Sequence, residues 1–139
     1  PTQDQNAAYT GVIPIMLNKI DADDVPVING DGSQSYDFID VRDVARCNIL
    51  AMNSQFSDEF YNVGTGIPTS IKELCEKVLV LKESKLACKF KAYSKEDTRS
   101  LVQKRIGCPK KTKNDLGFES KISLGNGLKN LIAWRSLNN

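Results

Sequence analysis

The chain has 139 residues, 40% hydrophobic and 26% charged, with a formal net charge of +2, the balance of one soluble globular domain rather than a fibrous or disordered chain. Its longest uncharged apolar stretch, residues 11–18, falls well short of the ~20 residues a membrane span needs. No charged segment followed by an apolar one opens the sequence, so neither a membrane protein nor a secreted one is expected, and a cytoplasmic location is.

After a polar start, residues 11–20 read as a short helix with Pro14 in its first turn, where proline removes no hydrogen bond. Asp21, Asp23 and Asp24 make an acidic loop. Residues 25–29 suit a strand that ends in two turn signals, Asn29-Gly30 and Asp31-Gly32. Residues 34–39 then either pair back as a hairpin or run extended into the next element. Asp40 is a good N-cap for an amphipathic helix over 41–53. Residues 59–63 read as a short strand, broken by Gly64-Thr65-Gly66. Ser70 and Glu73 form a capping box for a helix over 71–83. Residues 86–93 alternate apolar and polar, the pattern of a half-buried strand. A helix opening at Cys108-Pro109 closes at Gly117, and a last helix runs over 123–136. The result is an α/β chain with too few strands for a complete doubly wound sheet.

The charge is unevenly placed. Residues 1–60 hold three basic and ten acidic side chains, whereas residues 61–139 hold sixteen basic and seven acidic ones. Such a split suits an anionic ligand, a nucleic acid, or one half docking on the other. Aromatic interleaving is poor and no nucleic-acid motif is present, which argues against nucleic acid. The basic run of Lys104, Arg105, Lys110, Lys111 and Lys113 has two readings, a solvated face or a phosphate-facing one.

Several chemistries are excluded or disfavoured. Histidine is absent, so Ser-His-Asp and Cys-His catalysis are ruled out. Cys47, Cys75, Cys88 and Cys108 contain no Cys-x-x-Cys pair, so no metal site is expected. Free, reduced and mostly buried thiols are expected instead. The three aspartates after residue 20 lack the spacing of a calcium loop and read as solvated. Gly64-Thr65-Gly66 imitates a dinucleotide fingerprint, but Thr69 stands where its third glycine belongs and Glu83 precedes the next strand rather than ending it. It reads as a tight turn between strand and helix. No tyrosine is followed four residues later by lysine, the spacing that lets an ammonium lower a phenol's pKa on one helix face. No catalytic residue is assigned.

Three stretches, taken in order, resemble one family: Val12-Ile13-Pro14-Ile15, then residues 28–46 around Gln34-Ser35-Tyr36-Asp37-Phe38, then residues 60–74 around Tyr61-Asn62-Val63-Gly64-Thr65-Gly66. Asp115-Leu116-Gly117-Phe118, with Leu124, Leu128 and Trp134-Arg135, continues the match to the end. Together they resemble the C-terminal, substrate-binding half of extended short-chain dehydrogenases, the NAD-dependent nucleotide-sugar epimerases and dehydratases typified by UDP-glucose 4-epimerase. The resemblance implies a partial Rossmann-type α/β fold: the substrate lobe, with residues 59–63 as the last strand of the cofactor sheet and 41–53 as a helix packed on it. It implies one truncated substrate-binding lobe over 1–139, without the NAD-binding half that holds the catalytic Tyr-x-x-x-Lys pair.

The function implied is the binding of a nucleoside-diphosphate sugar, with NAD the cofactor of the parent family, none bound by this chain alone, and no turnover alone. The alternative is a stand-alone interaction or structural protein that keeps the lobe without the enzyme. By resemblance, Val12, Val27 and Asn29 line the nucleotide base and Asp97 touches the ribose. Tyr36 stands where many members carry an arginine, and Ser94-Lys95-Glu96-Asp97 stands where they read Arg-x-Gly-Asp. Both missing arginines grip the diphosphate in the family, which turns attention to Lys95, Arg99 and Arg105 as replacements. Self-association through the apolar surface of 41–53 and 59–63 is also expected.

Overall fold

The computed structural model describes residues 11–93 and 102–138. Asp97, Arg99 and Lys95 lie outside the described residues. The chain runs α1 (Val12–Asp21), β1 (Val27–Asn29), β2 (Ser35–Asp37), α2 (Val41–Met52), β3 (Pro68–Ser70), α3 (Ile71–Leu81), β4 (Lys89–Lys91), β5 (Lys104–Arg105), α4 (Lys110–Leu116) and α5 (Leu124–Asn138).

The predicted helices form where their local chemistry places them. Pro14 sits in the first turn of α1. The Asp40 carboxylate caps α2 by accepting from the Arg42 N–H. Ser70 and Glu73 close the reciprocal capping box of α3, satisfying two N–H groups that a helix start otherwise leaves open. Gly117 ends α4 in the left-handed region at φ 64°, which a residue without Cβ adopts freely.

The main core forms where three helices meet. Met16, Leu17 and Ile20 of α1 pack with Leu74, Cys75, Val78 and Leu79 of α3, with Leu128 of α5 and with Ile28 of β1. Arg135 of α5, buried, donates to Asn18 Oδ1 and Asp21 Oδ2 of α1, each at 2.8 Å. A second, smaller core joins α2 to α4 through Cys47, Leu116 and Phe118.

The strands depart from expectation in part. Of the two readings of residues 34–39 the extended run into the next element holds, β2 leading on to α2, and β1 and β2 form no hairpin. β1 pairs in parallel with β4, while β2 lies between β3, antiparallel, and β5, parallel. The two turn signals do act, with Gly30 and Gly32 both at φ 77°, but they redirect the chain so that Gln34 C=O accepts from Ile71 N–H and Ser35 N–H donates to Gln103 C=O. The expected strand at 86–93 shortens to β4, whose three residues are all exposed. Residues 59–63 form no strand, because among the described residues no ladder partner lies beside them; a single extended segment cannot satisfy its own N–H and C=O groups.

The cysteine expectation is corrected as well. Cys75 and Cys88 form a disulfide across 13 residues of sequence. The helical face of α3 turns Cys75 into the core, and pairing of β4 on β1 carries Cys88 against it. No short-range spacing announces such a contact, since it depends on tertiary pairing. Of the two free cysteines, Cys47 is buried and Cys108 is exposed.

Candidate functional site

A cavity of about 800 Å³ opens between α1, β1, β2 and the end of β4, within the size range of small-molecule sites. Val12, Val27, Asn29 and Tyr36, singled out in the sequence, all border it. α1 presents Val12, Ile15 and Met16, one helical stripe. β1 presents Val27 and Asn29, two residues apart and so on the same face of the strand.

Two polar residues of the cavity escaped the sequence reading. The Gln34 side-chain amide donates to the Tyr93 hydroxyl, and its Oε1 accepts from the Tyr36 hydroxyl at 3.3 Å. Tyr93, Gln34 and Tyr36 thus form a hydrogen-bonded file along one wall. Tyr93 lies over Gly30, where any Cβ would run into its ring and hydroxyl. The glycine after the Asn29 turn was the available signal, since a positive φ beside a close aromatic ring excludes other residues.

The charges around the cavity are already engaged. Lys19 pairs with Asp24. Asp37, which also borders the cavity, accepts from Thr65 N–H at 3.0 Å and Gly66 N–H at 2.9 Å. The polar surface left to a ligand is neutral, from Asn29, Gln34, Tyr36 and Tyr93. Lys104 and Arg105 of β5 do not border the cavity, but they are the register partners of Ser35 and Tyr36. Register partners project from the same side of a sheet.

Gly64-Thr65-Gly66 is not an anion cradle here. Its Thr65 and Gly66 N–H groups are taken by the Asp37 carboxylate, and Gly64 packs so closely on Asp37 that an added Cβ would collide with it. These residues do not fit a dinucleotide phosphate.

Nor does Tyr61 resemble a catalytic acid or base. Its hydroxyl donates to Asp115 Oδ2 at 3.3 Å. Burial, and then the Asp115 charge, hold it above the usual phenol value, although Lys111 lies 4.9 Å from the ring centroid. A tyrosine recruited for proton transfer near neutrality needs the opposite shift. Among the described residues no cluster of three or more His, Cys, Asp or Glu side chains could hold a metal, and no helix is long and apolar enough to cross a membrane.

Comparison with known proteins points one way. Residues 1–64 match the NAD dependent epimerase/dehydratase family. A Methanocaldococcus jannaschii protein named for UDP-glucose 4-epimerase is 33% identical over 129 residues, which covers 93% of this chain and 40% of that protein. The fold superposes on the UDP-glucose 4-epimerase of Thermotoga maritima, solved with UDP-glucose, at TM-score 0.86 and 31% identity, covering all of this chain and 43% of that one. It superposes on the UDP-N-acetylglucosamine 4-epimerase of Methanobrevibacter ruminantium, solved with UDP-N-acetylmuramic acid, at TM-score 0.88 and 27% identity, again covering 43% of that chain. The chain therefore spans about two-fifths of the length of the relatives it matches.

Proposed function

We propose, from the premise that this chain is a partial extended short-chain dehydrogenase of the NAD dependent epimerase/dehydratase family, that it is the nucleotide-sugar-binding portion of such an enzyme. The observation that carries this reading is the convergence of Val12, Val27, Asn29 and Tyr36 on one cavity, with Arg105 in register beside Tyr36. Apolar walls suit the faces of a planar base, and the neutral amides and hydroxyls suit its polar edge. Arg105 supplies the cationic fork for the diphosphate. Asp97, Arg99 and Lys95, which lie outside the described residues, complete the site in this reading.

The redox and proton-transfer steps belong to residues outside this chain. NAD serves the whole enzyme, and this chain alone neither binds it nor turns over. Calorimetric titration with UDP-, dTDP-, GDP- and CDP-sugars tests the reading: saturable binding of one class supports it, and binding of none refutes it. Epimerase or dehydratase activity of the chain mixed with NAD and the same sugars would refute the claim that the chemistry lies elsewhere.

One observation favours a second, non-catalytic reading as an interaction module. Val41, Ile49 and Met52 share one face of α2 and are exposed, and Phe60 and Ile67 are exposed as well, with Met52 84% and Phe60 91% accessible. Apolar surface left wet costs about 25 cal/mol per Å². In our reading these residues drive self-association in the cytoplasm. Light scattering decides, since a monomer at high concentration is the result that removes it.

A further inference from the structure

The cavity wall that carries Tyr93 follows β4, a strand whose three residues are all exposed. Among the described residues β4 pairs with β1 alone, over three residues. The pairing is extended by Lys89 N–H to Pro26 C=O at 2.9 Å and by Gly30 N–H to Lys91 C=O at 2.7 Å. Between α3 and the segment leading into β4 lies a second cavity of about 420 Å³, bordered by Leu79 and Val80 on one side and by Leu86, Cys88 and Phe90 on the other. Leu86 and Cys88 pack on the core across that gap, while Phe90 is left exposed. The covalent tie across it is the Cys75–Cys88 disulfide, which joins a wholly buried position of α3 to the residue just before β4.

We propose that this disulfide is a redox-controlled tether for the ligand-cavity wall: closed, it holds β4 and Tyr93 in the arrangement described above, and opened, it frees them. The connection runs from Cys75 in the core through Cys88 and β4 to Tyr93, which holds Gln34 and through it Tyr36. A cross-link restricts the states open to a short loop, and its loss restores them.

The chemistry is thiol–disulfide exchange with a dithiol reductant. A thiolate of the reductant attacks the sulfur of half-buried Cys88, forming a mixed disulfide, and Cys75 leaves as a thiolate that takes up a proton. The second sulfur of the reductant then displaces Cys88, so the reductant ends as a disulfide and the protein as two thiols. Closure by a small disulfide oxidant is the reverse, releasing two thiols of that oxidant.

The consequence for ligand binding rests on the nucleotide-sugar reading, so the test separates the two. In a Cys108→Ser background, which removes the exposed competing thiol, the oxidised chain should show one free thiol and the dithiothreitol-treated chain three. Backbone hydrogen exchange over residues 86–93 should speed up on reduction while α5 is unchanged. Affinity for UDP-glucose should fall by about ten-fold on reduction, the order expected when a binding wall must first be ordered. Cys88→Ala should behave as the reduced chain with or without dithiothreitol. Failure of the bridge to form under oxidised glutathione, or exchange that is identical in both states, overturns the tether. Equal affinity in both states, where UDP-glucose does bind, also overturns it. A difference in exchange with no binding of UDP-glucose in either state supports the tether and refutes the nucleotide-sugar reading.

Discussion

The carboxylate of Asp37 occupies the position an anionic ligand would take in the loop that contains Gly66: its Oδ2 accepts from the Gly66 N–H at 2.9 Å, while its Oδ1 holds Thr65. This relationship converts a phosphate-like motif into a structural clamp between β2 and the turn leading to β3. Asp37→Ala should destabilise the chain by about 2–3 kcal/mol, the cost of leaving N–H donors without a charged acceptor, as read from urea unfolding midpoints. Gly64→Ala should be nearly as harmful, because the clamped Asp37 side chain cannot swing aside. Unchanged midpoints for both would show that the loop does not depend on the clamp.

If the chain binds a nucleoside-diphosphate sugar as proposed, the neutral cavity and Arg105 should make separable contributions to that binding. Arg105→Ala should weaken binding of a nucleoside-diphosphate sugar by about ten-fold or more, corresponding to the loss of a charged hydrogen bond, and should flatten the salt dependence of affinity. Tyr36→Phe should cost about five-fold or less, since it removes one neutral hydroxyl bonded to Gln34 at 3.3 Å. The reverse order, measured by calorimetry at two salt concentrations, would shift the diphosphate role away from Arg105.

Local signals in the sequence located the helices well and the strand pairing poorly, for physical reasons. The Asp40 cap, the Ser70–Glu73 box and the Gly117 terminus are each decided within four residues. Strand partners are chosen by the whole fold: β2 takes β3 and β5, distant in sequence, over adjacent β1. Residues 59–63 carry a strand pattern without a ladder. Val12, Val27, Asn29 and Tyr36 were legible through family motifs and do share a cavity. Gln34 and Tyr93 were not, because their link spans 59 positions. The Cys75–Cys88 bridge follows the same rule.

Acid should unfold the chain through the buried carboxylate of Asp43. It accepts from Lys121 and Ile122 N–H, each at 2.9 Å, and from Arg46 at 2.8 Å, fastening the loop before α5 to α2. Burial opposes its charge, but the Arg46 hydrogen bond and the two N–H groups outweigh burial and hold the carboxyl below the ordinary aspartate value of 3.8. Asp40 and Asp21 are lowered too, Asp40 chiefly by Arg42, and Asp21 by Lys82 and Arg135 against the opposing effect of burial. A folded value below the unfolded one means stabilisation that is complete above the ordinary value and lost as pH falls through the folded values. Stability should therefore hold near neutrality and decline below about pH 4. Asp43→Asn should cost about 3 kcal/mol at pH 7 and make the acid decline shallower, both measurable by thermal melts across pH. A decline as steep as that of the unaltered chain would place the acid sensitivity elsewhere.

Gly30 and Tyr93 provide a test of the cavity wall that does not involve the disulfide. Gly30 adopts φ 77°, and a Cβ on it would enter the space of the Tyr93 ring. Gly30→Ala thus meets two penalties, a left-handed backbone for a residue with Cβ and a collision that displaces Tyr93, together about 2–4 kcal/mol. Displacing the ring also breaks the hydrogen bond to Gln34, so ligand affinity should fall along with stability. Tyr93→Ala separates the two effects: with the ring gone, the Gly30→Ala collision disappears and only the backbone penalty remains. In a double-mutant cycle the two substitutions should cost less together than the sum of their separate costs. Strict additivity would mean that Tyr93 does not rest on Gly30 in solution, and that the wall is built differently.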